Sequence, residues 1–483
     1  MNKVEKLKAD VQGLREKILD LAMRGKLVKQ DVNDEPASVL LEKIRIEKEQ
    51  LIKEKKIKKA KPLPEITDEE KPFDIPDSWE WVRLGEIGEI ISGGTPKTKE
   101  KSYWENGNIP WITPAVMSEV KDEKIFRSKN IKYINEEGLA HSSAKLIPAN
   151  SLVVSSRAPI GYINLVPFEY TTNQGCKSVT IFGNTSPSYL YNALKFRVPD
   201  MEKRASGTTF KEISGTKFGQ TIIPLPPLNE QKRIAAKIEE LFALLNTIEQ
   251  AQKKYEDLQG ELKEKILSLG IQGKLVDQDK NDESASILVE QINAKKEQLI
   301  KEKKIKKTKP LPEITDEEKP FDIPDSWEWV RLGDVSDIQM GQAPKGTNVN
   351  EKGIGYEFHQ GKTEFTDEII GKSSKYTTDD KKLINSDYIL MAVRAPVGDV
   401  NLTDRSMVIG RGLAGINGLI NNKKYIFYYL ASAKTYFETN STGSTFKAVN
   451  GNVVKNTPVP LPPLNEQKRI ATKIEELFST IDN

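Results

Sequence analysis

The sequence predicts an α+β protein in which two mixed α/β domains are joined by long antiparallel coiled-coil helices, arranged as a pseudo-two-fold circular repeat. Three observations carry this reading. A framework segment occurs twice, two dissimilar inserts of domain size interrupt it, and an apolar stripe at coiled-coil spacing links the copies.

The framework runs from Gly25-Lys26-Leu27-Val28 through Pro62-Leu63-Pro64-Glu65-Ile66-Thr67 to Trp79-Glu80-Trp81-Val82-Arg83-Leu84-Gly85, and returns 248 positions later, ending at Gly333. A second piece, Pro224-Leu225-Pro226-Pro227-Leu228-Asn229-Glu230-Gln231-Lys232-Arg233-Ile234, returns 236 positions later at Pro460–Ile470. The inserts, roughly 86–223 and 334–459, therefore differ by 12 residues in length, and they differ greatly in sequence.

In chain order, residues 1–30 are read as an N-terminal helix and 31–77 as a helix with a proline-rich connector. Residues 78–227 form the first variable domain, 228–276 the central helix, and 277–325 the second helix and connector. Residues 326–463 form the second variable domain, and 464–483 a C-terminal helix that completes the coiled coil. The proline-rich stretches 62–76 and 310–324 read as extended connectors that deliver the Trp79 and Trp327 strands to the inserts, with both tryptophans in the core. The lysine runs 53–61 and 301–309 are interleaved with glutamate and read as solvated helix ends.

From Leu228 to Leu269 no proline interrupts good helix formers. Ile234, Ile238, Leu241, Leu245, Ile248, Tyr255, Leu262, Ile266 and Leu269 keep 4-3 spacing, with Gln252 and Gln259 as polar interruptions. Ile470, Ile474, Leu477 and Ile481 repeat the first half of that stripe, and Val4, Leu7, Val11, Leu14, Ile18 and Leu21 repeat the second. The two ends are expected to meet as one broken partner helix, with the break facing the point just after Ile248. The 36 residues from Ile234 to Leu269 span ~54 Å as a helix.

Composition narrows the function classes. Charged residues are 30% of the chain yet leave a formal charge of +3, so any anionic partner must be met by local patches. One cysteine, Cys176, and two histidines, His141 and His359, leave no set for a Cys/His zinc site. No apolar run approaches the ~20 residues of a membrane span and no charged-then-apolar leader opens the sequence, so a cytoplasmic location is expected.

No motif for catalysis emerges. Gly361-Lys362-Thr363 and Gly371-Lys372-Ser373 lack the earlier glycine of a phosphate loop, since Tyr356 and Thr366 stand there. The Asn-Pro-Pro-aromatic motif of adenine methyltransferases is absent, and Pro199-Asp200-Met201-Glu202-Lys203 reads as a solvated turn rather than a nuclease cluster. A non-catalytic chain is expected.

The Gly-Lys-Leu-Val helix end, the Pro-Asp-Ser-Trp-Glu-Trp-Val-Arg-Leu-Gly segment, Ile91-Ser92-Gly93-Gly94-Thr95-Pro96 and the Pro-Leu-Pro-Pro-Leu-Asn-Glu-Gln-Lys-Arg-Ile segment resemble the specificity subunits of type I restriction-modification systems, in that family's order and over essentially the whole chain. The resemblance implies that each insert is a target recognition domain reading one half of a bipartite DNA site. It implies that the helices set the spacer and dock two methyltransferase subunits, which motor-nuclease subunits join. S-adenosylmethionine, ATP and Mg would be used by those partners, not by this chain. The alternative is a helical scaffold or a DNA-binding regulator outside restriction-modification.

Candidate DNA contacts follow from residue type. Arg157 and Arg394 each end an apolar run just before a proline turn, where a guanidinium fork suits guanine or phosphate, or an ion pair within the domain. Because both inserts carry this arginine, phosphate contact or structural support is favoured over base readout. Gln174 and Arg411 occupy equivalent glycine-flanked positions with different hydrogen-bonding side chains, as base readers would, with Lys177 close behind the first. Thr209 and Lys211, and Thr445 and Lys447, sit in Gly-x-Thr-Phe-Lys segments that suit phosphate contact or a helix start. Thr95 and Lys97, with Gln342 and Lys345, lie on an early loop of each insert.

Overall fold

A computed structural model describes residues 3–157, 159–207, 211–443 and 447–482, with side chains from Asp10 onward. It divides into two compact units, Met1–Lys253 and Lys254–Asn483, with the border inside one 44-residue helix, Leu228–Ile271.

In the first unit the N-terminal helix, Lys3–Met23, ends where Gly25 turns left-handed at φ +68°, and a Cβ there would stand 2.5 Å from the Pro76 ring. Glycine alone satisfies both demands. A second helix, Ala37–Lys53, buries Ala37, Leu40, Leu41 and Ile44. The connector that follows is irregular apart from a short turn at Asp68–Glu70, and its Leu63, Phe73 and Ile75 pack against the unit.

The insert is closed at a neck. Glu80–Arg83 pairs antiparallel with Ile222–Leu225, which sets chain entry beside chain exit. The Arg83 guanidinium, 3% exposed, donates to the carbonyls of Pro64, Glu65 and Gln220 and to the Glu70 carboxylate at 2.7–3.0 Å. One side chain thus ties connector, entry strand and exit strand together. Beside it, Trp79 is buried and its indole N–H donates to the Glu230 carboxylate at 3.0 Å. Gln231 accepts from the Ser186 N–H and donates to the Pro226 carbonyl. Glu230 and Gln231 are therefore a buried polar clasp between the central helix and the neck.

Above the neck stands a four-stranded antiparallel sheet in the order Gly88–Ser92, Cys176–Ile181, Ser151–Ser156, Ile160–Val166. The helix Pro187–Arg204 contributes Tyr189, Leu190, Ala193 and Leu194 to the same core as Leu152, Val154 and Val179. A smaller sheet, Lys132–Ile134, Ile109–Ile112 and Thr171–Thr172, completes the insert.

The second unit repeats this layout around different side chains. Glu328–Arg331 pairs with Pro458–Leu461, Arg331 binds the Pro312, Glu313 and Asn456 carbonyls and Glu318, and Trp327 donates to Glu466 at 3.0 Å. The bond from Arg331 holds the Glu318 carboxyl down at about 2. The sheet order is Asp337–Met340, Leu413–Asn417, Ile389–Ala392, Val400–Leu402, with the helix Lys423–Ser432 in its core. Here the additional sheet is mixed and five-stranded, built around Tyr356–His359 and Met407–Ile409.

The central helix pairs antiparallel with a terminal helix in each unit. In the first, Arg15 reaches Asn246 and Glu249 while Gln30 reaches Glu230. In the second, Lys263 reaches Asp482, Gln259 donates to the Ile481 carbonyl, and Gly270 lies against Ile470 and Ile474 of Leu464–Asp482.

Several expectations need correction. Arg15 lies beside Glu249, so Ile248 faces the middle of the N-terminal helix rather than a break; a partner helix ends instead opposite Gln259–Lys263. Nor is the stripe covered along its length. Ile234, Ile238, Leu245 and Ile266 are buried, but Ile248, Tyr255 and Leu262 are 37%, 53% and 50% exposed. With Leu244, Ala251 and Leu258 they form a second row at 4-3 spacing. One neighbouring helix covers only one seam, and this row lies outside it. Pro199-Asp200-Met201 is not a turn but the last part of a helix, with Met201 fully buried and Asp200 paired with Arg197 and Arg204 at 3.2 and 2.7 Å. The strand after Trp79 begins at Glu80, and the tryptophan is core as expected. Meeting of the chain ends involves Met1 and Asn483, outside the described residues.

Burial, opposed by the Trp79 bond and by Arg233, holds the Glu230 carboxyl above its usual range. A raised carboxyl favours the folded state below the unfolded-chain value, and that contribution is lost as pH rises through the folded value. Glu230→Gln is expected to gain stability relative to the parent chain as pH rises from ~4 to ~7, in thermal unfolding followed by circular dichroism. Trp79→Phe, which leaves one oxygen of the buried carboxylate without its donor, should cost about 1–3 kcal/mol at neutral pH. A constant difference between Glu230→Gln and the parent across pH would contradict this account.

Candidate nucleic-acid interface

In the antiparallel sheet of the first unit, the end of Gly88–Ser92, the start of Cys176–Ile181, the end of Ser151–Ser156 and the start of Ile160–Val166 all lie at one edge. Of this unit's candidates, Thr95, Lys97, Arg157, Gln174 and Lys211 gather on the loops of that edge. A Cβ at Gly93 would lie 2.1 Å from the Asn173 carbonyl, and the Gly94 N–H donates to the Thr172 carbonyl, so the early loop packs directly on the 172–175 turn. The Thr95 hydroxyl donates to the Gln174 side-chain oxygen. Gln174 and Lys97 are exposed.

The turn is made rigid from within. Asn173 accepts from the Gly175 N–H through its side chain and from the Cys176 N–H through its carbonyl. The Ser156 N–H donates to the Gly175 carbonyl. Arg157 follows, 40% exposed, cross-strand from Glu212 with its Nη1 3.9 Å from that carboxylate. Lys211 is exposed beside Glu212. Beneath the turn, burial pushes the Cys176 thiol up to about 12 and leaves it unreactive at neutral pH.

Lys177 departs from its expected place. It is 5% exposed, and its ammonium is bound by Ser156 Oγ, the Gln174 carbonyl and Glu212 at 3.2, 3.0 and 3.4 Å. A lysine on a central strand one residue into the sheet faces inward, so it supports the turn from below rather than presenting charge to a ligand.

The second unit gathers Gln342, Lys345, Arg394, Arg411 and Lys447 at the matching edge. The Gly341 N–H donates to the Leu413 carbonyl and the Gln342 N–H to the Ile409 carbonyl, while Gly410 and Gly412 donate to the carbonyls of His359 and Gln360. Gln342, Lys345, Arg394, Arg411 and Lys447 are exposed. Arg394 lies cross-strand from Ala448, and the Ala395 N–H donates to the Lys447 carbonyl. Thr209 and Thr445 lie outside the described residues. The helix start expected of these segments falls on residues 208–210 and 444–446, also outside the described residues; Ser206 bridges Glu212, and the described helix that follows starts at Gly215 under a Ser214 cap.

Sequence reasoning missed the residues that hold these loops. Trp111 donates its indole N–H to the Gly94 carbonyl at 3.0 Å and Trp104 to the Lys97 carbonyl at 3.3 Å, with the two rings edge to face. Nothing local announces such bonds, because donor and acceptor are brought together only by the folded insert. Among the described residues no group of His, Cys, Asp or Glu is arranged to hold a metal ion, and no helix is long and apolar enough to cross a membrane.

A family model described as the type I restriction modification DNA specificity domain matches residues 76–256 and 324–483, a span that holds both inserts and both necks. The chain is 32% identical to the type I restriction enzyme EcoAI specificity subunit of Escherichia coli, over 97% of this chain and 89% of that one. It belongs to the type I restriction-modification specificity subunits. The EcoEI specificity subunit of the same organism is 34% identical over 69% of this chain and 63% of that one. Among solved structures, a chain from a study of complex assembly and conformational transition in a type I system aligns with TM-score 0.62 and 25% identity, covering 85% of this chain and 92% of its own. The family model matches twice, once over each neck and its insert.

The loop packing has a direct consequence. Gly93→Ala in the first unit, or Gly341→Ala in the second, where the added carbon would lie 2.1 Å from the Gly410 carbonyl, should separate early loop from turn. Amide hydrogen exchange at 172–176 or 409–413 is expected to speed up in the substituted unit alone, by roughly five- to 150-fold for ~1–3 kcal/mol of local strain. Unchanged exchange would contradict the packing described.

Proposed function

We propose that this specificity subunit reads an asymmetric, two-part site in double-stranded DNA, each unit placing its sheet edge against one half-site. The observation that carries the reading is that both units gather exposed Arg, Lys and Gln side chains at the same edge of the same sheet, yet differ in the side chain at the turn, Gln174 in one and Arg411 in the other. Gln suits adenine and Arg suits guanine in the major groove. Lys97, Lys211, Lys345 and Lys447 supply phosphate contacts, and with them most of the affinity.

The continuous central helix sets the gap between half-sites. Its exposed row, Leu244, Ile248, Ala251, Tyr255, Leu258 and Leu262, is the surface we assign to two methyltransferase subunits, since a 4-3 row is completed by another helix. Motor-nuclease subunits join that assembly. Catalysis, with S-adenosylmethionine, ATP and Mg, belongs to those partners, and this subunit acts in the cytoplasm without chemistry of its own.

Methylome sequencing of cells that express the subunit with its methyltransferase should return two unlike half-sites separated by a fixed gap. A continuous or palindromic motif would overturn the reading. Gln174→Ala and Arg411→Ala should each relax preference in a different half, by roughly tenfold at one base pair. Uniform weakening over all sequences would assign them to the backbone instead.

A further inference from the structure

The arginine shared by both units is set differently in each. Arg157 stands over the reading turn: a Cβ at Gly175 would come within 3.3 Å of its Nε, and Gln174 is the turn's exposed residue. Glu212 lies directly cross-strand, 3.9 Å from the guanidinium, and is itself fixed by the buried ammonium of Lys177 at 3.4 Å. Lysine, glutamate and arginine thus form a chain running from the sheet interior to the reading edge.

In the second unit that chain is missing. The strand registers align Lys177 with Ala414 and Glu212 with Ala448. Arg394 is exposed, and no side-chain hydrogen bond or ion pair holds it among the described residues. At Gly412 the nearest neighbours of an added Cβ are instead the Gln360 carbonyl at 2.6 Å and Gly361 at 3.2 Å, and Arg394 is not among them.

A carboxylate beside a guanidinium repels a phosphate that approaches the same spot, but it leaves Arg free to meet an uncharged base edge. The major-groove edge of a G·C pair offers two acceptors on guanine to an arginine and an amino donor on cytosine to a carboxylate. We propose that Arg157 and Glu212 together read one G·C base pair in the half-site of the first unit, whereas Arg394 contacts backbone phosphate. This rests on the assignment of the sheet edges to DNA. It makes Glu212 a specificity determinant, Lys177 the residue that positions it, and the two matching arginines unequal in role.

The test is selection from a randomised duplex library, together with affinity measured over a range of salt, using the full-length chain with its partner subunits. Arg157→Ala, Glu212→Gln and the pair Lys177→Ala with Glu212→Ala, which copies the second unit at unchanged net charge, should each relax preference at the same single G·C position. The relaxation should be roughly tenfold or more. Arg394→Ala should weaken all sequences alike and lower the salt slope by about one. Retention of the G·C preference in both Glu212 variants, or relaxation of a single position by Arg394→Ala, would overturn the proposal. If neither arginine variant alters DNA binding at all, the assignment of the edges to DNA fails with it.

Discussion

The neck is the constraint on which each unit depends. An insert more than a hundred residues long must leave the framework and return to it at one place, and closing so long a loop costs conformational entropy before any insert contact forms. The Glu80–Arg83 ladder with Ile222–Leu225 provides that closure, and Arg83 binds the incoming connector to both strands at once. The Trp79–Glu230 bond then fixes the neck to the central helix. Because Trp79, Arg83 and Glu230 are buried with their hydrogen bonds made, removing one leaves its partners unpaired, which explains why the framework recurs almost unchanged while its inserts do not.

This division of labour was legible in the sequence because it left a duplicated string of residues. Gly25, Trp79, Arg83 and Glu230, with Gly273, Trp327, Arg331 and Glu466, lie inside the repeated segments, and each makes the same contact in both units. The placement of Arg157 and Arg394 at strand ends before a proline turn also followed from the local pattern, as did the glycine-flanked turns of Gln174 and Arg411.

What the sequence hid was every relation that depends on long-range packing. Lys177 looks like a surface cation, but strand alternation turns it inward against Glu212, 35 residues away. Pro199 suggested a turn, yet the helix Pro187–Arg204 accommodates it because Met201 and Leu194 are already anchored in the core. The apolar periodicity of the central helix was plain, but periodicity gives a face and not its partner: the second row, from Leu244 to Leu262, is a separate surface. The antiparallel offset of the helices, which moves the partner's end from Ile248 to Gln259–Lys263, is marked by the bonds of Arg15 and Lys263 and has no local signature.

In the function proposed above, a constant frame carries two independent reading edges, and the length of the central helix governs the gap between their half-sites. The most direct measurement is methylome sequencing after four helix-forming residues are inserted following Gly260, an exposed position with open space around it, close to where the C-terminal helix ends beside Lys263. Four residues add about 6 Å, nearly two base pairs, while keeping the apolar rows close to phase. The expected result is the same two half-sites with a longer gap between them; an unchanged gap, or altered half-sites, would show that the central helix does not govern the spacing.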